Sequence, residues 1–219
     1  MYTPILHKGR SHYGSNFWDG FSPKLNRDVN LYSNLEYDHW VLVETNFNIV
    51  EFCEQPHKVF GSFEGKEHSS IFDMWIKWKD GKEVFIEIKY RSDLQPECKQ
   101  YKKNIRQITI QKDWCNKKKK IHRVLTEHEI RENSILLDNK KIILPHLRNV
   151  NKIGDAIRFK VIKEMRKEKM SLEELCLKVD DIPTHKLKQV VYILIYEERI
   201  NSNIADKPLG LETEVWING

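Results

Sequence analysis

Cysteine is scarce in this 219-residue sequence and occurs without a recognisable pattern. The four cysteines, Cys53, Cys98, Cys115 and Cys176, form neither a Cys-x-x-Cys pair nor a zinc-finger spacing. The sequence therefore indicates neither a disulfide framework nor a zinc site, and we expect all four thiols to be reduced. A metal-ligand spacing is also missing among the histidines, so we assign no catalytic role to His57, His68, His122 and His128.

Long apolar runs are missing too. No stretch approaches the ~18 consecutive apolar residues that a membrane-spanning helix needs, and residues 1–10 lack the apolar core of a signal peptide. These absences predict a protein without a membrane partner. We expect it to be cytoplasmic.

Positive charge is present in moderate excess and is unevenly distributed. Lys and Arg total 37 against 32 Asp and Glu, which gives a formal net charge of +5 and suits a polyanionic partner. The excess is concentrated at 96–131, where the sequence has 11 basic and 4 acidic residues. We therefore interpret this segment as a surface for the DNA backbone, with four consecutive candidates at Lys117, Lys118, Lys119 and Lys120. The alternative is a solvated charge run at a helix end, where the helix dipole favours cations.

Helical and strand-like patterns alternate in the first two thirds of the chain, which is typical of an α/β fold. Residues 1–32 show no periodicity and are interpreted as an irregular arm. A helix is predicted over 33–44, then a strand over 49–60 with a break at 55–56, and a polar loop up to Ser70. A basic helix over 96–117 and a strand over 120–126 follow, with a further helix from Thr126.

Two β-rich runs at 71–78 and 83–89 flank Lys-Asp-Gly-Lys and predict a β-hairpin. Side-chain alternation puts Phe72, Met74 and Ile76 on one face and Asp73 on the other, together with Glu87 and Lys89. Directly opposed residues lie on the same face, so their residue numbers must add to an even value. A two-residue Asp80-Gly81 turn would oppose Lys79 to Lys82, whose numbers add to an odd value. We therefore predict a three-residue connection or a bulge, with Gly81 at positive φ.

The character of the sequence changes at about 146–151, so we divide the chain into a domain over 1–146 and a smaller one over 147–219. The second has three helical patterns, over 153–167, from a cap at Ser171, and over 183–198. Extended stretches around Pro208-Leu-Gly would form the wing of a small winged-helix domain.

The hairpin carries the residues that indicate chemistry. Glu87 and Lys89 are charged residues within an apolar strand, an arrangement that is unfavourable unless the charges are used. Asp73 on the preceding strand would place a second carboxylate beside Glu87, and paired carboxylates suit Mg²⁺. Lys89 would orient or activate the attacking water, and Glu36 would add a carboxylate from a neighbouring helix, where a second metal could bind. Two alternatives stay open: a solvated strand face for Glu87 and Lys89, and a Ser33-x-x-Glu36 capping box.

These residues occur within an ordered set of motifs. The set comprises Gly-Arg-Ser at 9–11, Tyr-Ser-Asn-Leu-Glu at 32–36, Glu-Gln-Pro at 54–56, Phe-Asp at 72–73, Glu-Ile-Lys at 87–89 and Val-Leu-Thr-Glu-His-Glu-Ile at 124–130. In this combination the sequence resembles the TnsA family, the endonuclease subunits of heteromeric cut-and-paste transposases. The resemblance spans most of 9–135.

The resemblance implies a restriction-endonuclease-like nuclease, with a mixed sheet flanked by helices, that cuts double-stranded DNA at the 5′ ends of a mobile element. It implies that Glu36, Asp73, Glu87 and the backbone carbonyl of Ile88 bind Mg²⁺, for which Mn²⁺ can substitute, and that Lys89 is the catalytic lysine. Some relatives have Gln in place of Glu87.

The implied partners are an integrase-type transposase that acts on the 3′ ends and an AAA+ ATPase regulator that contacts the C-terminal domain. The implied setting is a prokaryotic cytoplasm, with action at the nucleoid. Two other functions fit the pattern: a stand-alone restriction or repair nuclease, and a non-catalytic DNA-binding assembly subunit. Cutting by the purified chain without a transposase would favour the first, whereas intact Asp73, Glu87 and Lys89 argue against the second.

Overall fold

The structure is a computed structural model and describes residues 2–5, 16–165 and 167–217. The Gly-Arg-Ser motif at 9–11 lies outside the described residues. By its internal contacts the chain forms two compact units, and the second consists of Glu44–Phe47 and the described residues from Asn133 onwards. This unit begins earlier than the predicted boundary at 146–147, because the helix that starts at Ser134 contributes Ile143 and Leu147 to its core.

The first unit combines strands and helices in an α/β arrangement. In chain order its elements are β1 (Trp18–Ser22), β2 (Arg27–Leu31), α1 (Asn34–Glu44), β3 (Ile49–Glu54), β4 (Lys58–Phe63), β5 (Lys66–Ile71), β6 (Met74–Trp78), β7 (Glu83–Ile88), α2 (Tyr101–Lys117), β8 (Ile121–Leu125) and α3 (Glu127–Ile130). Most predicted elements of this part are confirmed. Two predictions are wrong, because the arm contains the β1–β2 hairpin and the loop before Ser70 contains β5.

The central sheet has the strand order β3-β6-β7-β8. The first two pairings are antiparallel, whereas β7 and β8 are parallel and are joined through α2. Both faces of β7 are buried, which explains its nearly continuous apolar sequence. One face packs in a cluster that includes Trp75, Phe85 and Ile110 of α2. A mixed sheet flanked by helices is thus present, and it fits the restriction-endonuclease-like fold.

The β6–β7 connection confirms the prediction from side-chain alternation. Met74 is opposite Ile86, and the register continues with even sums up to a three-residue connection at 79–81. The N–H of Trp78 donates to the Lys82 carbonyl at 2.9 Å, and the N–H of Gly81 donates to the Trp78 carbonyl at 2.9 Å. Gly81 has a φ of 85°, a conformation that side chains with a Cβ rarely adopt.

Replacing Gly81 should therefore show whether this conformation limits stability. We expect Gly81→Ala to lower the free energy of unfolding by about 1 to 2 kcal/mol through left-handed strain, since a Cβ there would meet no other atom. Gly81→Asn should cost less, because Asn tolerates positive φ. Urea unfolding of both variants measures the difference, and equal losses would contradict the explanation.

The second unit is mainly helical. Its elements are α4 (Ser134–Leu147), α5 (Asp155–Glu164), β9 (Met170–Ser171), α6 (Leu172–Lys178), α7 (Thr184–Tyr196), β10 (Asn201–Ser202) and β11 (Glu214–Trp216). The three short strands pair antiparallel in the order β10-β11-β9. Ser171 caps α6 as predicted, since its hydroxyl accepts the N–H of Glu174 at 3.0 Å. Across the described part of the chain, no helix is both long and apolar enough to cross a bilayer.

Candidate active site

Asp73 lies at an irregularity where β6 begins. Met74 is opposite Ile86 in the register, yet the N–H of Asp73 also donates to the Ile86 carbonyl, at 3.1 Å. Two consecutive residues therefore face one residue of β7, which is the arrangement of a β-bulge. Oδ2 of Asp73 accepts the N–H of Ile88 at 2.7 Å, so the side chain takes a place that a strand carbonyl would otherwise fill.

The bulge changes which face of the sheet the residues before Met74 occupy, and so changes how Asp73 comes to lie near Glu87. Alternation predicted Phe72 on the face of Met74, but Phe72 packs against Phe85 in the cluster beneath α2, with 4.8 Å between ring centroids. That part of the prediction is wrong, because alternation breaks at the bulge. The carboxyl group of Asp73 nevertheless lies close enough to Glu87 for the two to perturb each other's pKa, and its Oδ2 bonds to the backbone N–H of the next residue, Ile88.

Glu87 and Lys89 form a buried ion pair at the end of β7. Glu87 has no exposed surface, and its Oε1 accepts a hydrogen bond from Lys89 Nζ at 2.5 Å. Its Oε2 accepts one from Gln111 Nε2 at 2.6 Å. The backbone N–H of Lys89 donates to the Leu125 carbonyl of β8, which fixes the strand end. A solvated strand face is therefore excluded for Glu87.

Glu36 reaches the same group of charges from the first turn of α1. Its N–H donates to Ser33 Oγ at 3.1 Å, while its carboxylate accepts from Ser33 Oγ at 3.2 Å and from the N–H of Tyr32 at 3.0 Å. The capping interaction weighed as an alternative is therefore present. It does not remove Glu36 from the site, because Asp73 and Lys89 both perturb its pKa.

Burial and mutual repulsion dominate the electrostatics of this cluster. Burial, and next the charge of Asp73, raise the pKa of Glu87 to about 8 and that of Glu36 to about 7. Burial also raises the pKa of Asp73. For Lys89 burial alone would lower the pKa, but Asp73 and Glu87 outweigh it and raise the pKa above its ordinary value. Without a further cation, the cluster therefore retains protons on its carboxyl groups while Lys89 stays charged.

These shifts predict a pH-dependent stability of the metal-free protein. A carboxyl group whose pKa is raised on folding stabilises the fold fully below its unfolded pKa, and this contribution is lost as the pH rises through the folded value. The stabilisation is therefore lost between pH 4.5 and about pH 7 for Glu36, and between pH 4.5 and about pH 8 for Glu87. With EDTA present, we expect the Tm to fall between about pH 6.5 and pH 8, and Mg²⁺ to reduce the fall.

Two comparisons make this measurement specific. Buried His39 and half-buried His122, whose pKa values desolvation lowers to about 4, act in the opposite direction but only below pH 6.5, outside the chosen window. Glu87→Gln removes the largest titration, so its Tm should fall less steeply. An unchanged slope in this variant would contradict the assignment.

The donor atoms fit a hard divalent cation bound by few ligands. Within residues 2–5, 16–165 and 167–217, no group of three or more His, Cys, Asp or Glu side chains is arranged as a metal site. Asp73 and Glu87 are close enough for each to perturb the pKa of the other, and neighbouring carboxylates repel unless a proton or a cation lies between them. Mg²⁺ is commonly held by one or two carboxylates and retains several waters. The residues present therefore fit Mg²⁺.

One buried residue at the site was missed by the sequence reasoning. Gln111 of α2 is fully buried and contacts Glu87, although the helix was interpreted only as a basic surface. Gln111 lies 24 positions after Glu87, so no short sequence motif connects the two residues. The only indication was that amides, Asn104 and Gln111, occur among the apolar residues on the core-facing side of α2.

The four lysines at the end of α2 do not behave alike. Lys117, Lys118 and Lys119 are exposed, which suits either DNA contact or a solvated helix end. Lys120 instead pairs with Glu83 at 2.8 Å and so fastens the end of α2 to the start of β7. Phosphate would therefore compete with Glu83 for Lys120, and DNA contact by any of the four lysines stays a prediction.

Comparison with protein-family models matches residues 46–127 to the model described as TnsA-like endonuclease N terminal. The matched segment contains Asp73, Glu87, Lys89 and Gln111, whereas Glu36 lies before it. A search of curated proteins returned no match.

Proposed function

Through residues 46–127 the chain belongs to the TnsA-like endonuclease family, and on this basis we propose that it is a Mg²⁺-dependent DNA endonuclease. Its proposed role is to cleave the 5′ ends of a transposon during cut-and-paste transposition, together with a separate transposase. The observation that carries the proposal is fully buried Glu87, which is hydrogen-bonded to the ammonium group of Lys89, next to Asp73, whose Oδ2 accepts the N–H of Ile88.

In this proposal Asp73 and Glu87 hold Mg²⁺, the backbone carbonyl of Ile88 is a third oxygen ligand, and Glu36 adds a carboxylate from α1. The N–H of Ile88 already donates to Asp73, which supports the nearness of its backbone to the site. A bound Mg²⁺ supplies Lewis-acid stabilisation of the charge that develops on the scissile phosphate. Mn²⁺ can take the same place.

Lys89 is proposed to orient the attacking water and to stabilise negative charge rather than to remove a proton. Its raised pKa keeps it in the ammonium form, which has three N–H donors and no acceptor. Contact with Glu87 directs the ammonium group toward the carboxylates. In the metal-free cluster the pKa of Glu36 is raised by burial to about 7, so its carboxylate is the one best matched to accept a proton near neutral pH whenever it is not bound to the cation.

Double-stranded DNA is the proposed substrate, and α2 supplies the proposed contacts with its backbone. The exposed residues Lys102, Lys103, Lys117, Lys118 and Lys119 all belong to this helix or its end. Cations at these positions would neutralise phosphates without reading the sequence.

The second unit is proposed to be a winged-helix domain that binds an AAA+ ATPase regulator. The order of α5, β9, α6, α7, β10 and β11, with a three-stranded antiparallel sheet, supports this assignment. Phe159 is 67% and Leu177 is 77% exposed, so the unit presents large apolar side chains that a protein partner would cover.

The decisive test is whether cleavage depends on a partner. We expect the purified chain with Mg²⁺ to cut transposon-end DNA weakly, and the addition of the cognate transposase to increase 5′-end cleavage strongly. The reason is that transposition requires coordinated breaks at both strands. Denaturing gels with strand-specific labels measure the products. Vigorous cutting by the chain alone would favour a stand-alone nuclease, and no 5′ cutting with the transposase would favour a non-catalytic subunit.

A further inference from the structure

Gln111 links the carboxylate of Glu87 to two other parts of the first unit. Its side chain is fully buried on α2. Nε2 lies 2.6 Å from Glu87 Oε2, 2.9 Å from Ser70 Oγ and 3.2 Å from the Ile71 carbonyl, so three acceptors share its two N–H donors. Oε1 lies 3.1 Å from Nε2 of His122 on β8. The amide is thus in contact with α2's neighbours β5, β7 and β8.

The orientation of this amide is fixed by its partners. If it were turned by 180°, its oxygen would face the Ile71 carbonyl, which can only accept a hydrogen bond, and the Glu87 carboxylate, which can only accept one when it is ionised. With the oxygen toward His122, the imidazole must donate its Nε2–H. Burial lowers the pKa of His122 to about 4, so the ring is neutral and retains one N–H donor. The hydrogen bonds therefore run from His122 to Gln111 and from Gln111 to Glu87.

This direction of donation determines how Glu87 is held. Oε2 is fixed by the amide on the side of α2, while Oε1 is directed to Lys89 on the side of the carboxyl cluster. From this geometry we propose that Gln111 is a positioning residue that holds Glu87 ready for a divalent cation, and that His122 in turn orients Gln111. The inference rests on the proposed function, since it concerns the same metal site.

The chain contains a matched control for a purely structural role. Asn104 lies seven positions earlier on the same face of α2, is 7% exposed and donates through Nδ2 to the Asp93 carbonyl at 2.9 Å. Both residues are buried amides that bond to a main-chain carbonyl. Only Gln111 touches a carboxylate of the cluster. Gln111→Met and Asn104→Leu each remove the amide and keep approximately the same volume.

The first measurement is the affinity of the full chain for Mn²⁺. Electron paramagnetic resonance of the free ion gives the amount that is not bound. We expect Gln111→Met to weaken binding roughly 10- to 100-fold, as loss of an outer hydrogen bond to a metal ligand does, and Asn104→Leu to leave it unchanged. Equal affinity in the wild type and Gln111→Met would overturn the inference and leave the proposed function intact. Absence of Mn²⁺ binding by the wild type would overturn both.

Two further readouts keep the test decisive if Gln111→Met is poorly folded. His122→Phe should weaken Mn²⁺ binding when Gln111 is present and should have no further effect on binding in a Gln111→Met background. A further loss of affinity in that background would contradict the order of the hydrogen bonds from His122 to Gln111 to Glu87. In the ¹⁵N-labelled wild type, Mg²⁺ should shift the side-chain amide signal of Gln111 but not that of Asn104. A Gln111 signal that does not respond while Mg²⁺ binds would overturn the proposal.

Discussion

Asp73→Asn should abolish DNA cleavage and leave the chain folded. The substitution removes the charge that would bind the cation, while the amide oxygen can still accept the N–H of Ile88 and so preserve the bulge. A metal contributes several kcal/mol to phosphate chemistry, and each 1.4 kcal/mol is a tenfold change in rate, so we expect a loss on the order of 1,000-fold or more. Cleavage is measured with the cognate transposase and Mg²⁺.

Asp80→Asn is the matched control for this experiment. It makes the same change on the same hairpin, where Asp80 only accepts the N–H of Lys82 in the exposed connection. It should retain full cleavage. Asp73→Asn should also raise the Tm of the metal-free chain above neutral pH, because it removes a charge that repels Glu36 and Glu87. Normal cutting by Asp73→Asn would refute the active-site assignment.

Lys89→Met should abolish cleavage and also destabilise the protein. Lys89 is the cation that pairs with fully buried Glu87, and its own side chain is only 17% exposed. Removing one partner of a buried ion pair costs about 3 to 5 kcal/mol, and we expect about 3 kcal/mol near pH 8, since the carboxyl groups can respond by taking up protons. Urea unfolding with EDTA measures the loss.

The pH dependence of this loss separates charge from packing. Near pH 6 the carboxyl groups of Glu36 and Glu87 are largely protonated and need the ammonium group less, so the difference from the wild type should shrink. Lys89→Arg retains the charge and should lose less stability at either pH. The same deficit at both pH values would show that Lys89 stabilises the fold by packing alone.

Features set by local chemistry were predictable from the sequence. The three-residue connection followed from the parity of opposed side chains, and positive φ at Gly81 followed from the absence of a Cβ. The helix that starts after Ser33 and the cap at Ser171 follow from hydroxyl groups that accept backbone N–H groups. Glu87 and Lys89 were identifiable because charges interrupt an apolar strand.

Features set by distant partners were not predictable in the same way. The polar strand β5 has no hydrophobic pattern, and it exists because β4 supplies its hydrogen bonds. The bulge at Asp73 depends on where β7 ends, so alternation alone misplaced Phe72. Gln111 acquires its partners only when α2 packs on the sheet. The second unit was predicted to start at 147, after α4 rather than before it. The apolar periodicity of α4 does not indicate in which of the two hydrophobic cores the helix packs.

The parallel pairing of β7 with β8 has a consequence for the time course of folding. The backbone of Lys89 is fixed by Leu125, and Glu87 receives its second hydrogen bond from α2, which precedes β8 in the chain. The connection from β7 through α2 to β8 closes a long loop before the contacts of β8 can compensate for the lost chain entropy. The pairing of β8 with β7 is therefore a slow step of folding. On the ribosome, a chain that ends before Leu125 therefore lacks the carbonyl group that fixes the backbone of Lys89. The candidate site is then among the last parts of the first unit to form.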